Sequence, residues 1–141
     1  MAQKVRDVMT TQPVALEDEA SVVEAARAMR DGDFGFVIVL KDQDASVCGV
    51  VTDRDIAVRV VAEGVDPTKV RLADICRGEV TTVGPDEPAD EVAELMRKKA
   101  IRRVPVVEGG RLLGVVSLGD LAKKMDEGRA LSDISSAPPN R

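Results

Sequence analysis

Thr52 and Asp55, and again Ser117 and Asp120, set a hydroxyl and a carboxylate three residues apart. They close two near-identical runs, Gly49-Val50-Val51-Thr52-Asp53-Arg54-Asp55 and Gly114-Val115-Val116-Ser117-Leu118-Gly119-Asp120. A hydroxyl at the cap and a carboxylate at the third helical position form a capping-box variant, with Asp in place of the usual Glu, so a helix begins at each. A strand that runs into a helix start also leaves amide hydrogens pointing outward, a natural seat for a phosphate. The carboxylate beside it can accept hydrogen bonds from the two hydroxyls of a ribose. Helix-start electrostatics alone would also explain an acid at these positions, so the chemistry these groups offer is capping, or capping plus binding.

Composition limits what else they can do. With 141 residues, 44% of them apolar, the chain suits one compact domain or two small intertwined ones. It has no His, Trp or Tyr, and Phe34 and Phe36 are its two aromatic residues. Without histidine, a Ser-His-Asp or Cys-His site or a His-bearing zinc site cannot be built. No set of nucleophile, base and orienting group can be assembled from the remaining residues, which argues against an enzyme. A net charge of −5 argues against a broad nucleic-acid or anionic-membrane footprint. Platforms for stacking single-stranded bases are missing too.

Cys48 and Cys76 lack CxxC spacing, so neither a zinc knuckle nor a thioredoxin motif is available. Two reduced, buried thiols are the first expectation, and a redox-linked disulfide within or between chains the second. Asp53-Arg54-Asp55 and Asp42-Gln43-Asp44 hint at carboxylate pairs but lack calcium-loop spacing, so no metal site is expected. The polar start, Met1 to Arg6, does not resemble a signal peptide, and the longest apolar run, Phe36 to Leu40, is too short to span a bilayer. A soluble cytoplasmic protein is expected.

The elements that must position the paired acids come in duplicate. A shift of 67 residues lays Val5-Arg6-Asp7-Val8-Met9 over Leu72-Ala73-Asp74-Ile75-Cys76, Glu24 to Arg30 over Glu91 to Arg97, and Val37-Ile38-Val39 over Val104-Pro105-Val106. Beyond that the shift drops to 65, because the loop from Lys41 to Val47 is two residues longer than its partner at Glu108 to Leu112. Two copies make a pseudo-symmetric pair rather than a solenoid.

In the first copy the sequence predicts a helical turn at Val5 to Met9 and a brief strand at Val14 to Leu16. A helix follows, capped by Ser21 and Glu24, buried through Val22, Ala25, Ala26 and Met29, and ended by Gly32. Phe34 to Leu40 reads as a strand buried on both faces, Asp42 to Asp44 as a turn, and Val47 to Val51 as the returning strand. The closing helix runs from Asp53 to about Glu63, with Ile56, Val60 and Val61 inward. After a linker at Glu63 to Lys69 the second copy repeats the plan. It has a turn at Leu72 to Cys76, a strand at Val80 to Val83, and a helix opened by Pro88 that buries Ala89, Val92, Ala93 and Met96. Strands at Arg103 to Val107 and Leu112 to Val116 follow, then a helix from Leu118 to about Glu127. Lys98, Lys99, Lys123 and Lys124 fall in last turns, where cations offset the helix dipole. The units are 1–66, including the linker, and 67–128, with a mobile tail at 129–141.

The paired GVVTDRD and GVVSLGD runs, each after a hairpin strand, together with Arg102-Arg103-Val104-Pro105-Val106-Val107, resemble the tandem cystathionine-β-synthase (CBS) domain pair, or Bateman module, over residues 4 to 126. The chain is also similar in size to small standalone stress-associated CBS proteins. The resemblance implies an α+β fold of two pseudo-symmetric β-α-β-β-α repeats packed through their sheets, with two symmetry-related clefts. It implies no required cofactor, but an adenosine-type ligand such as AMP, ADP, ATP or S-adenosylmethionine. By position, Asp55 and Asp120 would hold the ribose, and Thr52, Asp53 and Ser117 would sit at phosphate or ribose. Val37, Ile38, Val104 and Pro105 would line the base, and Arg103, with Arg102 beside it, would meet phosphate.

Repeat one departs from this pattern, with Ile38 where repeat two has Pro105 and Gly35-Phe36 where it has Arg102-Arg103. The phosphate-neutralising charge then comes from repeat two, and Arg103 is expected to reach across to a ligand held at Asp55, with Phe36 filling the other cleft. Solvated strand-end charges are the plain alternative for Arg102 and Arg103. The function implied is a non-enzymatic regulatory sensor that signals to an unidentified protein partner. The alternative is a ligand-free dimeric scaffold with vestigial clefts. Apolar Val58, Val61, Leu121 and Met125 on the closing helices exceed one core face and predict a homodimer.

Overall fold

The structure, a computed structural model, describes residues 3–41, 46–76 and 80–124. The turn expected at Asp42 to Asp44, the tail and Met125 lie outside them. In chain order the elements are α1 (Val5–Val8), β1 (Thr10–Thr11), β2 (Ala15–Glu17), α2 (Val22–Gly32), β3 (Phe36–Lys41), β4 (Ser46–Thr52) and α3 (Asp53–Ile56). A π-helical stretch (Ala57–Val61) continues α3. A 3-10 turn (Pro67–Lys69), α4 (Leu72–Ile75), α5 (Ala89–Lys99), β5 (Arg103–Glu108), β6 (Arg111–Ser117) and α6 (118–124 as described) complete the chain. The result is the expected α+β fold, with two three-stranded sheets ordered β2-β3-β4 and β1-β6-β5.

Local chemistry sets most boundaries. The Ser21 hydroxyl accepts from Glu24 N at 3.1 Å while Ser21 N donates to the Glu24 carboxylate at 3.4 Å, closing the capping box of α2. That helix buries Val22, Ala25 and Met29, but Ala26 lies on the solvent side, one step off the stripe. Gly32 remains inside α2, and Asp33 takes the left-handed turn at φ 58° instead, as a short polar side chain can. Helix α5 buries Ala89, Val92, Ala93 and Met96, the four expected. The strand expected at Val80 to Val83 reduces to one parallel bridge, Val83 to Val106. Of the closing helix, Val60 is fully buried and Ile56 partly, whereas Val61 is 66% exposed. The π turn, where Ala62 N bonds to Ala57 O at 2.9 Å, rotates Val61 away from the core.

The leading turns are exchanged between the repeats. Val5 and Val8 of α1 sit in the core made by α5, β5 and β6, with Met96, Val104, Val106 and Val116. Leu72 and Ile75 of α4 sit in the other core, with Val22, Met29, Val37, Val39, Val51 and Val60. The backbone ties are matched: Val5 N to Glu87 O at 2.9 Å and Ala89 N to Gln3 O at 2.8 Å on one side, Leu72 N to Ala20 O at 2.8 Å and Val22 N to Val70 O at 2.9 Å on the other. Strand β1 adds antiparallel to β6, pairing Thr10 with Val115 and Thr11 with Gly114.

Period-2 alternation gives each hairpin two jobs. Val37 and Val39 of β3, like Val104 and Val106 of β5, turn into their own cores. Ile38 and Pro105, also buried, turn to the opposite face, where β4 packs against β5 and the repeats meet.

Candidate functional site

The cap of α3 fixes Asp55. Thr52 Oγ1 accepts from Asp55 N at 3.1 Å, and Thr52 N donates to Asp55 Oδ2 at 2.8 Å. One carboxylate oxygen is thus engaged by the backbone and held in a single orientation, while a carboxylate offers about four acceptor positions in all. Asp53 N donates to Gly35 O at 2.9 Å, stitching the helix start to the beginning of β3. Repeat two has the same stitch, Leu118 N to Arg102 O at 2.8 Å, and the same hydroxyl cap, Ser117 Oγ accepting from Asp120 N at 2.9 Å.

Asp55 opens onto a cleft of about 210 Å³ between the repeats. Repeat one lines it with Cys48, Gly49, Val50, Asp55 and Arg59, and the second half of the chain with Ile75, Cys76, Val80, Thr81, Ile101, Arg103 and Pro105. The structure therefore brings together Asp55, Arg103 and Pro105 out of the residues singled out in sequence. The Arg103 guanidinium stacks over the Phe36 ring at 4.7 Å from its centroid, and Phe36 in turn packs on Phe34 with centroids 6.2 Å apart. A stacked guanidinium over an aromatic face gains about 0.5–1 kcal/mol and is held at the cleft wall. Phe36, expected to fill the other cleft, thus supports the cation of this one.

The other sequence candidates sit apart from the lining. Val37 and Val104 point into their own cores, since alternation turns them to the opposite face from Ile38 and Pro105. Ile38 is buried where the sheets meet, paired with Val50. Thr52 acts on the cleft through Asp55. Asp53 is exposed, its carboxylate accepting from Arg54 N at 2.8 Å. Arg102 is exposed, one residue before β5 begins. Ser117 and Asp120 form the equivalent helix start on the other side, with Asp120 exposed and Asp55 half-buried.

Arg59 was not singled out in sequence, although its signal was present. It lies four residues after Asp55 on one helix, the spacing that puts side chains on a shared face. Its Nη1 donates to Ile75 O at 2.9 Å, tying the closing helix of repeat one to the leading turn of repeat two. Thr81 Oγ1 lies 3.4 Å from Lys99 Nζ, which adds a further cation near the rim.

The two thiols line the same cleft. Cys48 Sγ donates to Cys76 O at 3.4 Å, and a Cβ added at Gly49 would lie 2.8 Å from Cys76 Sγ. Burial first, then hydrogen bonding to Cys48, then the charges of Cys48, Asp55 and Asp18 push the Cys76 thiol well above the ordinary thiol range. Among the described residues, no group of three or more Cys, Asp or Glu side chains is placed to hold a metal ion, and no helix is long and apolar enough to cross a membrane.

Comparison with known proteins agrees with this geometry. The chain is 33% identical over 135 residues to the CBS domain-containing protein YhcV of Bacillus subtilis, covering 93% of this chain and 94% of that one. It is 36% identical over 117 residues to the uncharacterized protein MK0525 of Methanopyrus kandleri, covering 82% of this chain but 57% of that relative's length. Among solved structures, the CBS domain pair of protein MJ0100 in complex with 5-methylthioadenosine and S-adenosyl-L-methionine superposes with a TM-score of 0.80 at 27% identity, covering 91% of this chain and 99% of the other. The CBS domain pattern itself matches residues 5–62 and again 72–127. With two such matches folded about a shared cleft, the chain belongs to the CBS domain family as a tandem pair.

Proposed function

We propose that this protein is a non-enzymatic regulatory module that takes an adenosine-type nucleotide in the Asp55 cleft and passes its occupancy on to a protein partner. One observation carries the reading: Asp55 from repeat one and Arg103 from repeat two, far apart in sequence, line one hollow together with Arg59. A fixed carboxylate suits the two donors of a ribose, and guanidinium groups suit phosphate oxygens. The hollow, about 210 Å³, is smaller than the ~300–1,000 Å³ of most ligand sites. It therefore takes the nucleoside and leaves phosphates at the mouth, where Arg59 is exposed and Arg103 half-exposed. The relative MJ0100, whose CBS pair binds 5-methylthioadenosine and S-adenosyl-L-methionine, supports an adenosine-type ligand. The two arginines favour the phosphorylated ones, AMP, ADP and ATP, over a cationic sulfonium.

Calorimetric titration with adenosine, AMP, ADP, ATP and S-adenosylmethionine tests this. Binding that strengthens from adenosine to AMP and disappears in Asp55→Ala is expected. No heat with any of them would leave the second reading, a dimeric scaffold with an idle cleft.

That second reading has an observation of its own. Val58 and Val61, 47% and 66% exposed, lie one turn apart on the closing helix of repeat one, and Val65, in the chain just beyond its end, is 45% exposed. Leu121, expected to contribute on the other closing helix, is fully buried in the core because α6 turns it under β5 and β6, and it adds nothing to this surface. We assign the valine row to a homodimer contact. Light scattering is expected to show a dimer, and Val61→Glu a monomer.

A further inference from the structure

The nucleotide reading assigns neither cysteine a role, yet both line the same hollow. Cys48 lies on β4 of repeat one, and Cys76 directly follows α4, the leading turn of repeat two that is exchanged into the core of repeat one. Cys48 Sγ is 3.4 Å from the Cys76 carbonyl oxygen. Glycine at position 49 leaves the room into which Cys76 Sγ settles, since a Cβ there would be 2.8 Å from that sulfur. The thiols are half-buried rather than sealed, so a small oxidant reaches them through the cleft that they line. In repeat two the 65-residue and 67-residue shifts place Leu113 and Met9 at these positions, so the pair belongs to the Asp55 cleft alone.

We propose that Cys48 and Cys76 form a reversible intramolecular disulfide across the wall of the Asp55 cleft, and that the bridged form binds nucleotide more weakly. The oxidant is a small-molecule disulfide. The Cys48 thiolate attacks one of its sulfurs, giving a mixed disulfide and releasing one small thiol. With Cys48 now uncharged in the mixed disulfide, the first small thiol, which leaves as its thiolate, takes the proton of Cys76; the Cys76 sulfur attacks Cys48 Sγ, closing the bridge and releasing the second small thiolate, which takes up the proton lost by Cys48. A bridge brings the sulfurs to about 2.0 Å, shorter than any non-bonded sulfur contact, so it draws Ile75 and Cys76 toward β4. Arg59 moves with them, because its Nη1 is bonded to Ile75 O at 2.9 Å. The weakened binding rests on the nucleotide reading given above, while the bridge itself does not.

Wild-type protein incubated with excess oxidised glutathione, then with dithiothreitol, provides the test, read by intact mass, non-reducing peptide mapping and AMP titration of each form. The expected result is a monomer lighter by two hydrogens, with Cys48 and Cys76 peptides linked, affinity for AMP lowered by about tenfold, as for one displaced charge-assisted contact, and both changes reversed on reduction. Cys48→Ser is expected to bind AMP equally before and after the oxidant. Glutathione adducts or links between chains in place of the internal bridge would overturn the proposal. An internal bridge with unchanged affinity would overturn the gating. If the reduced protein binds no adenine nucleotide, the functional reading fails, and the mass data still decide the bridge.

Discussion

The Asp55 cleft and the equivalent positions around Asp120 are related by the duplication, and they have diverged in opposite directions. On the Asp55 side the wall carries Arg103, Pro105, Arg59 and the two thiols. On the Asp120 side the same shifts place Phe36, Ile38, Lys124, Leu113 and Met9. The strand edge differs as well. Thr11 of β1 pairs with Gly114, so close that a Cβ at Gly114 would collide with Thr10 O and stand 3.2 Å from Met9 Sδ. At the equivalent Gly49 the nearest atom is the sulfur of a side chain, Cys76. One copy has kept a polar recess, and the other has used its positions to pack backbone and apolar side chains. Phe36 and Arg103, equivalent positions in the two repeats, now stack on each other, so the apolar side props up the charged one.

The difference can be attacked first through the glycines. Gly114→Ala sets a methyl against fixed backbone and is expected to destabilise by about 3 kcal/mol, whereas Gly49→Ala meets a side chain that can rotate but places a Cβ at φ 158°, a strained conformation for an L residue, and is expected to cost about 2 kcal/mol. Urea unfolding of the two variants checks the order, and equal losses would mean that the two edges are packed alike. Arg103→Ala is expected to weaken AMP binding about tenfold while leaving adenosine unchanged, with Phe36→Leu about threefold weaker for AMP. Calorimetry with both ligands separates a phosphate contact from a general loss of shape. The smallest effect concerns pH. The folded state holds the Cys76 thiol above its ordinary range, so the neutral thiol stabilises fully below pH of about 8.5 and that stability is lost as pH rises further. Cys76→Ala is expected to remove this alkaline decline in thermal midpoint.

Much of this was readable from residue types at fixed spacing. The Ser21-Glu24 and Thr52-Asp55 boxes are local, three-residue chemistry, and they formed as read. The buried face of α5 followed from its 3.6-residue period. Even the meeting of Asp55 and Arg103 followed once the repeats were aligned and only one of them carried a basic strand end. What stayed hidden depends on contacts between distant segments. Nothing local tells Val5 to pack beside Met96, or Leu72 beside Val22. Strand β1 exists only because the edge of β6 is there to pair with it. The thiols share a cleft because the exchanged α4 carries Cys76 back to β4. Leu121 and Val61 show the limit of periodicity. A π turn and a packed α6 decided which apolar side chain went inward, and neither has a composition signal.

The asymmetry between the Asp55 and Asp120 sides is tested most directly by the stoichiometry of AMP binding to the reduced protein, measured by calorimetry beside Asp55→Ala and Asp120→Ala. The account predicts one nucleotide per chain, lost with Asp55→Ala and retained with Asp120→Ala. Two nucleotides per chain, or binding that survives Asp55→Ala and fails with Asp120→Ala, would contradict it.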